Sequence, residues 1–196
     1  MRFVNYIVAA LLLLTMCACS TTKMSKTLLN TEDMPDVEFK YALEIMNNGE
    51  WQQAEKAFLA MTKRYPDYSG PWTNLGIISA GRGDASKAET YFKKAVESNP
   101  KNAIAMTGVA ILFHQQGDLG ALTWYQRAIS AQPDYPEAYF NLAQFYEKML
   151  RKPEKALSYY RRYQSLTNEK NLAVAAWILE LEQIKSTEDS QMVVSQ

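Results

Sequence analysis

Between Asp36 and Tyr163 the small, apolar and polar positions recur with a period of 34 residues, give or take one. Ala42, Gly76, Ala110 and Ala143 stand 34, 34 and 33 residues apart, and Ala54, Ala88, Ala121 and Ala156 keep step with them. Four residues after each member of the second series comes an aromatic: Phe58, Phe92, Tyr125 and Tyr160. Each of the first three periods holds a turn glycine, at Gly49, Gly83 and Gly117, and closes on a proline, at Pro66, Pro100 and Pro133. On either side of the glycine, apolar residues follow helical spacing. In the second period Trp72, Leu75, Gly76 and Ser79 share one face, and Ala88, Phe92, Ala95 and Val96 share another. The pattern predicts two helices per period, the first ended by a left-handed glycine and the second stopped by proline. A fixed period of this length means stacked copies of one supersecondary unit, hence an all-α solenoid.

The same residues resemble the tetratricopeptide repeat (TPR) family. Trp72, Leu75, Gly76, Gly83, Ala88, Phe92, Ala95 and Pro100 fall where that family's pattern wants them. The resemblance divides the chain into four helix-turn-helix units, 36–68, 69–102, 103–135 and 136–168. The first unit departs from the pattern at Glu38 and Met61, and the third is one residue short between Gly117 and Ala121. The fourth is one residue long between Ala143 and Ala156, with Leu150 and Arg151 at its turn and Asn168 where a proline would stand. After it, Val174, Trp177, Ile178, Leu181 and Ile184 form an apolar stripe at helical spacing, which predicts a capping helix over 169–186 and a polar, disordered tail over 187–196.

At the other end, Arg2 and the apolar run Ile7–Met16 read as a secretory signal over 1–18, too short to span a bilayer, which needs about 20 apolar residues. Met16-Cys17-Ala18-Cys19-Ser20 resembles a bacterial lipobox, which implies acylation of Cys19 as the first mature residue. Palmitate and its companion chains would then hold the protein at a membrane. Ser20 after the cysteine implies the periplasmic face of the outer membrane. Residues 19–35 are polar and read as a flexible tether.

The chain carries 21 basic and 21 acidic residues, without a basic run of the kind nucleic acid requires. The densest basic cluster is Arg151, Lys152, Lys155, Arg161 and Arg162, read as a solvated face or as a dock for an acidic partner or lipid headgroups. His114 is the one histidine, and both cysteines fall in the signal and lipobox, so no metal site, no thiol nucleophile and no cofactor is expected. No Gly-rich phosphate loop occurs, and no enzyme is expected.

The family resemblance implies a partner-binding groove on the first helix of each unit. Carried over by position, it holds Phe39, Leu43 and Met46; Thr73, Asn74 and Ile77; Thr107, Ile111 and His114; and Phe140, Asn141, Gln144 and Glu147. Asn74 and Asn141 carry amides that pair with backbone, and Phe39 and Phe140 offer aromatic contact area. Apolar and neutral groups dominate, so a helix or peptide of an envelope protein is the expected partner. The layout resembles lipoproteins of type IV and Flp-type pilus assembly. The alternatives are an adaptor for peptidoglycan hydrolases or envelope proteases and, from another class, a ligand-binding or enzyme-accessory module. The pattern leaves the partner's identity and the oligomeric state open.

Overall fold

The computed structural model describes residues 35–168 and 171–194, with side chains to Thr187. Contacts divide the chain into residues 1–38 and 39–196. Of the first stretch only 35–38 are described, so the signal and Cys19 lie outside the described residues. Those residues are helical with no strand among them, and the helices run as pairs: α1 (Pro35–Asn47) and α2 (Trp51–Arg64), α3 (Ser69–Gly81) and α4 (Ala85–Ser98), α5 (Ala103–Gln115) and α6 (Gly120–Ala131). Next come α7 (Pro136–Gln144), which widens into a π turn over Phe145–Met149, then α8 (Pro153–Leu166) and α9 (Leu172–Val194).

From α2 onward each helix packs on its sequence neighbour, α1 meets α2 through the Phe39 and Phe58 rings, and first helices also touch across pairs, α3 on α5 and α5 on α7. This makes an all-α solenoid of helix pairs with one layer of first helices and one of second helices. Small residues let the layers meet. Ala42, Ala54, Ala88, Ala110, Ala121, Ala143 and Ala156 are fully buried, and beside them Phe58, Tyr125 and Tyr160 are buried as well. Phe92 is held between two glycines: a Cβ at Gly76 or at Gly108 would stand 2.6 Å from its ring.

Caps and turns follow from the sequence locally. Asp84 and Asn102 accept from the backbone N–H of Lys87 and Ala105 at the starts of α4 and α5. Gly49, Gly83 and Gly117 have φ of 82°, 80° and 75°, the left-handed region that ends each first helix. Trp72 Nε1 and Tyr139 Oη reach back to the carbonyls of Pro66 and Pro133, tying each pair to the one before it.

The two irregular periods are absorbed in different ways. Where the residue is missing, α6 opens tightly: the N–H of Ala121 donates to Asp118, three residues back, whereas Ala54 and Ala88 donate to Glu50 and Asp84, four back. Where a residue is added, α7 widens: the N–H of Leu150 donates to Phe145 across five residues, and that of Lys152 to Tyr146 across six. Arg151, with φ of 52°, then takes the glycine's place in the turn. In both cases the alanine, aromatic and core register beyond the irregularity is restored.

The last helix differs from its expected bounds. It starts at Leu172 and runs on to Val194, past Ser186. No Gly or Pro interrupts 172–194, and the Ser186 and Thr187 hydroxyls donate to the Gln183 carbonyl within the helix. Val174 and Leu181 are buried against α8, while Trp177 lies over Phe140 and Tyr160 with centroids 6.2 and 6.0 Å away.

Candidate functional site

The layer of first helices offers two hollows that share Ile77. One, of about 330 Å³, lies across α3, α5 and α7 and is walled by Ile77, Ile104, Ile111, Gly108 and Asn141, with Gln115, Tyr135 and Glu137 around it. The other, of about 730 Å³, lies at the α1–α2 turn and the end of α3, between Trp51, Gln52, Ile77 and Arg82. Together they form a groove from Trp51 to Asn141. Its exposed apolar members are Trp51 (50 % exposed), Ile104 (47 %) and Ile77 (37 %).

At the centre of the smaller hollow stands Thr107, 2 % exposed, whose hydroxyl has no hydrogen-bond partner. The equivalent hydroxyl one period earlier is satisfied twice: Thr73 Oγ1 donates to the Ser69 carbonyl and accepts from Asn102 Nδ2 at 2.8 Å. Beside Thr107 the cap position equivalent to Asn102 holds Tyr135, which has no amide to offer. A buried hydroxyl left unpaired costs about 1–3 kcal/mol. Burial, with Glu137 nearby, pushes the Tyr135 phenol up to about 12, so it stays a neutral donor at physiological pH. Glu137 is the one charged residue lining this hollow among the described residues.

Four of the thirteen residues expected in the groove line the smaller hollow: Ile77, Thr107, Ile111 and Asn141. The others are mostly committed to packing. Phe39 packs against Phe58 and Tyr68 and over Gly70, and Leu43 and Met46 lie against the same core. Phe140 packs against Tyr160, Tyr163 and Trp177, and both phenylalanines are half-buried, so each has only part of its ring turned to solvent. Thr73 and Asn74 are buried, and the amides of Asn74 and Asn141 donate to carbonyls four residues back, Gly70 and Glu137. Each of these bonds uses one of the two N–H donors of its amide. Glu147 accepts from the buried Tyr160 hydroxyl at 2.6 Å. His114 stands edge-on to Phe145, with Nδ1 3.5 Å from the Tyr125 hydroxyl, and Gln144 is half-buried.

Sequence reasoning missed Trp51, Ile104, Tyr135 and Glu137. Ile104 and Glu137 stand 34 and 67 residues after Gly70, so the period itself marks them as the second position of each first helix. Trp51 carried no such signal, because its period mates Ala85 and Leu119 are of another kind. No cluster of three or more metal-ligating side chains occurs among the described residues, and no helix there is long and apolar enough to cross a membrane.

Three family models match the chain: one described as "TPR repeat" over 112–149 and two as "Tetratricopeptide repeat" over 73–129 and 138–172. Together they span 73–172, half of the chain. Among curated proteins, the photosystem I assembly protein Ycf3 of Cyanophora paradoxa is 27 % identical over 113 residues, 56 % of this chain and 61 % of that protein. The match therefore spans less than two thirds of that relative. Among solved structures, Pseudomonas aeruginosa PilF superposes with a TM-score of 0.68 at 19 % identity, over 78 % of this chain and 69 % of that one. A thermophilic TPR protein of Thermus thermophilus gives 0.64 at 19 % identity, over 83 % and 88 %. At these identities the structural likeness establishes the fold.

Proposed function

Because the chain belongs to the tetratricopeptide repeat family, whose members bind other proteins through a helix or peptide, we propose that it is an envelope scaffold holding an apolar partner segment along the first-helix groove. The observation that carries this reading is a hollow across three first helices walled by Ile77, Ile104 and Ile111, with Ile77 and Ile104 exposed. A segment laid there buries the isoleucines, while Trp51 supplies the large rigid contact at the groove's other end. No cation lines the smaller hollow, which argues against an acidic tail as ligand. Acylation at Cys19 would tether the scaffold to the periplasmic face of the outer membrane. The machine it assists is a type IV or Flp-type pilus, a reading supported by the lipobox-and-repeat layout and compatible with the PilF-like fold. A non-catalytic role is in keeping with the scaffold fold.

The test is site-specific photocrosslinking in the native envelope. A crosslinker at Ile104 is expected to capture one dominant envelope protein, and Trp51→Ala or Ile77→Ala in the same chain should weaken capture at least fivefold. Loss of palmitate labelling in Cys19→Ala tests the anchor. Capture that is equal from Ile104 and from the outward-facing Thr123 would refute the groove.

A further inference from the structure

Charge is segregated between the two layers. The second helices α2, α4, α6 and α8 carry ten Lys and Arg against four Glu, whereas the first helices carry two Lys against five acidic residues. Three of the basic residues repeat in register. Lys94, Arg127 and Arg162 each stand six residues after the small alanine of their helix (Ala88, Ala121 and Ala156), and all three are exposed. Each is held over an aromatic face: Lys94 Nζ 4.6 Å from the Trp72 centroid, Arg127 Cζ 4.1 Å from Trp124, and Arg162 Cζ 5.8 Å from Tyr139.

The stacking has a consequence for what these cations do. A ring face fixes the direction of the side chain and covers one side of the cation, but it leaves the N–H edge turned outward. Lys87, Lys93 and Arg161 form ion pairs with Asp84, Glu89 and Glu182, but among the described residues none of the three stacked cations does. Beside the middle one lies a hollow of about 520 Å³ whose polar lining is Lys101, Thr123, Gln126, Arg127 and Ser130, two cations, two hydroxyls and an amide with no carboxylate among them. Such a lining suits a phosphate oxyanion.

We propose that the layer of second helices is a docking surface for anionic phospholipid headgroups. A rank of cations spread over three units on an outer layer fits a charged plane, and the hollow at Arg127 accepts a single headgroup phosphate. The sequence supplies a second reason to choose lipid over an acidic polypeptide. That reason rests on the proposed anchoring: acyl chains on Cys19 hold the solenoid at a membrane, where a basic patch adds to the hold. Docked in this way, the solenoid turns its first-helix groove away from the membrane and toward a soluble partner.

The test uses the full chain carrying Cys19→Ala, so that no acyl chain contributes, and compares cosedimentation with vesicles of phosphatidylglycerol and phosphatidylcholine against vesicles of phosphatidylcholine alone. The apolar leader is common to both arms, so the difference between them reads charge. Each basic residue at an anionic surface contributes about fivefold, so Lys94→Gln, Arg127→Gln and Arg162→Gln together should reduce the anionic preference by about a hundredfold. High salt should remove it as well. The charge-preserving variant Arg127→Lys, Arg162→Lys should keep most of it, which separates loss of charge from loss of fold, and circular dichroism of each variant checks the fold directly. Equal partition into both vesicle types, or a triple variant that binds like the parent, overturns the proposal. Binding of soluble polyglutamate through the same three residues with no vesicle preference overturns it in favour of an acidic protein. No groove residue takes part, so the outcome is independent of the crosslinking result at Ile104.

Discussion

Arg151 occupies a backbone position that the other three units give to glycine. A side chain in the left-handed region costs about 1–2 kcal/mol, of which glycine's greater freedom in the unfolded chain returns a part. Arg151→Gly is therefore expected to stabilise the fold by about 0.5–1 kcal/mol, read as a higher urea midpoint. A lower midpoint would mean that the Arg151 side chain holds the turn in a way its φ of 52° does not reveal. Gly108 presents the opposite case. It lies inside α5 with an ordinary helical backbone, yet the Phe92 ring leaves no room for a methyl. Gly108→Ala should cost about 1–3 kcal/mol through overpacking. The double change Gly108→Ala, Phe92→Leu should recover part of that loss, and no recovery would show that the clash is elsewhere.

At the scale of a helix, the added residue of the fourth unit is housed in one π turn, which leaves α8 and its Ala156–Tyr160 register intact. Deleting the exposed Lys148 should convert that turn to ordinary α-helix and lower stability by less than about 1 kcal/mol. Deleting Leu112 from α5 shifts every later side chain by about 100° with no bulge to absorb it, and that chain should fail to give a cooperative thermal transition by circular dichroism. If both deletions behave alike, the π turn is not where the extra residue is stored.

Across the molecule, the buried titratable groups make stability depend on pH from both sides. Burial, and after it the Lys148 charge, hold the His114 ring below its ordinary 6.5. The unfolded chain therefore binds this proton first, and the contribution is complete above pH 6.5 and lost as pH falls through the lower folded value. Burial pushes Tyr135 up to about 12 and raises Tyr125 and Tyr160 as well. Their contribution is complete below pH 10 and is lost as pH rises toward 12, because the unfolded phenols ionise first. Urea midpoints should thus be flat between about pH 7 and 9 and fall on either side. His114→Gln should flatten the acid limb and Tyr135→Phe the alkaline one, and unchanged slopes in these variants would assign the limbs to other groups.

The architecture was legible in the chain because a solenoid is built from local repeats. The 34-residue period places Ala42, Gly76, Ala110 and Ala143 at helix contacts, and each contact needs only neighbours close in sequence. The glycines at 49, 83 and 117 likewise announce φ values that only the backbone decides. The groove was legible only in part. Position within a repeat marks which residues are expected to face the first-helix layer, and of these Ile77, Thr107, Ile111 and Asn141 line the smaller hollow. It does not say which of those side chains packing will consume. Phe39 and Phe140 are half-buried because bulky rings across the stack, Phe58 and Tyr68 for one, Tyr160 and Trp177 for the other, pack against them. Thr73 and Thr107 occupy the same place in their units, yet only the first accepts an amide N–H from the next unit, because Asn102 holds that cap position and Tyr135 takes it one unit later. That difference depends on which residue the next unit brings across the interface, so the tertiary structure alone decides it.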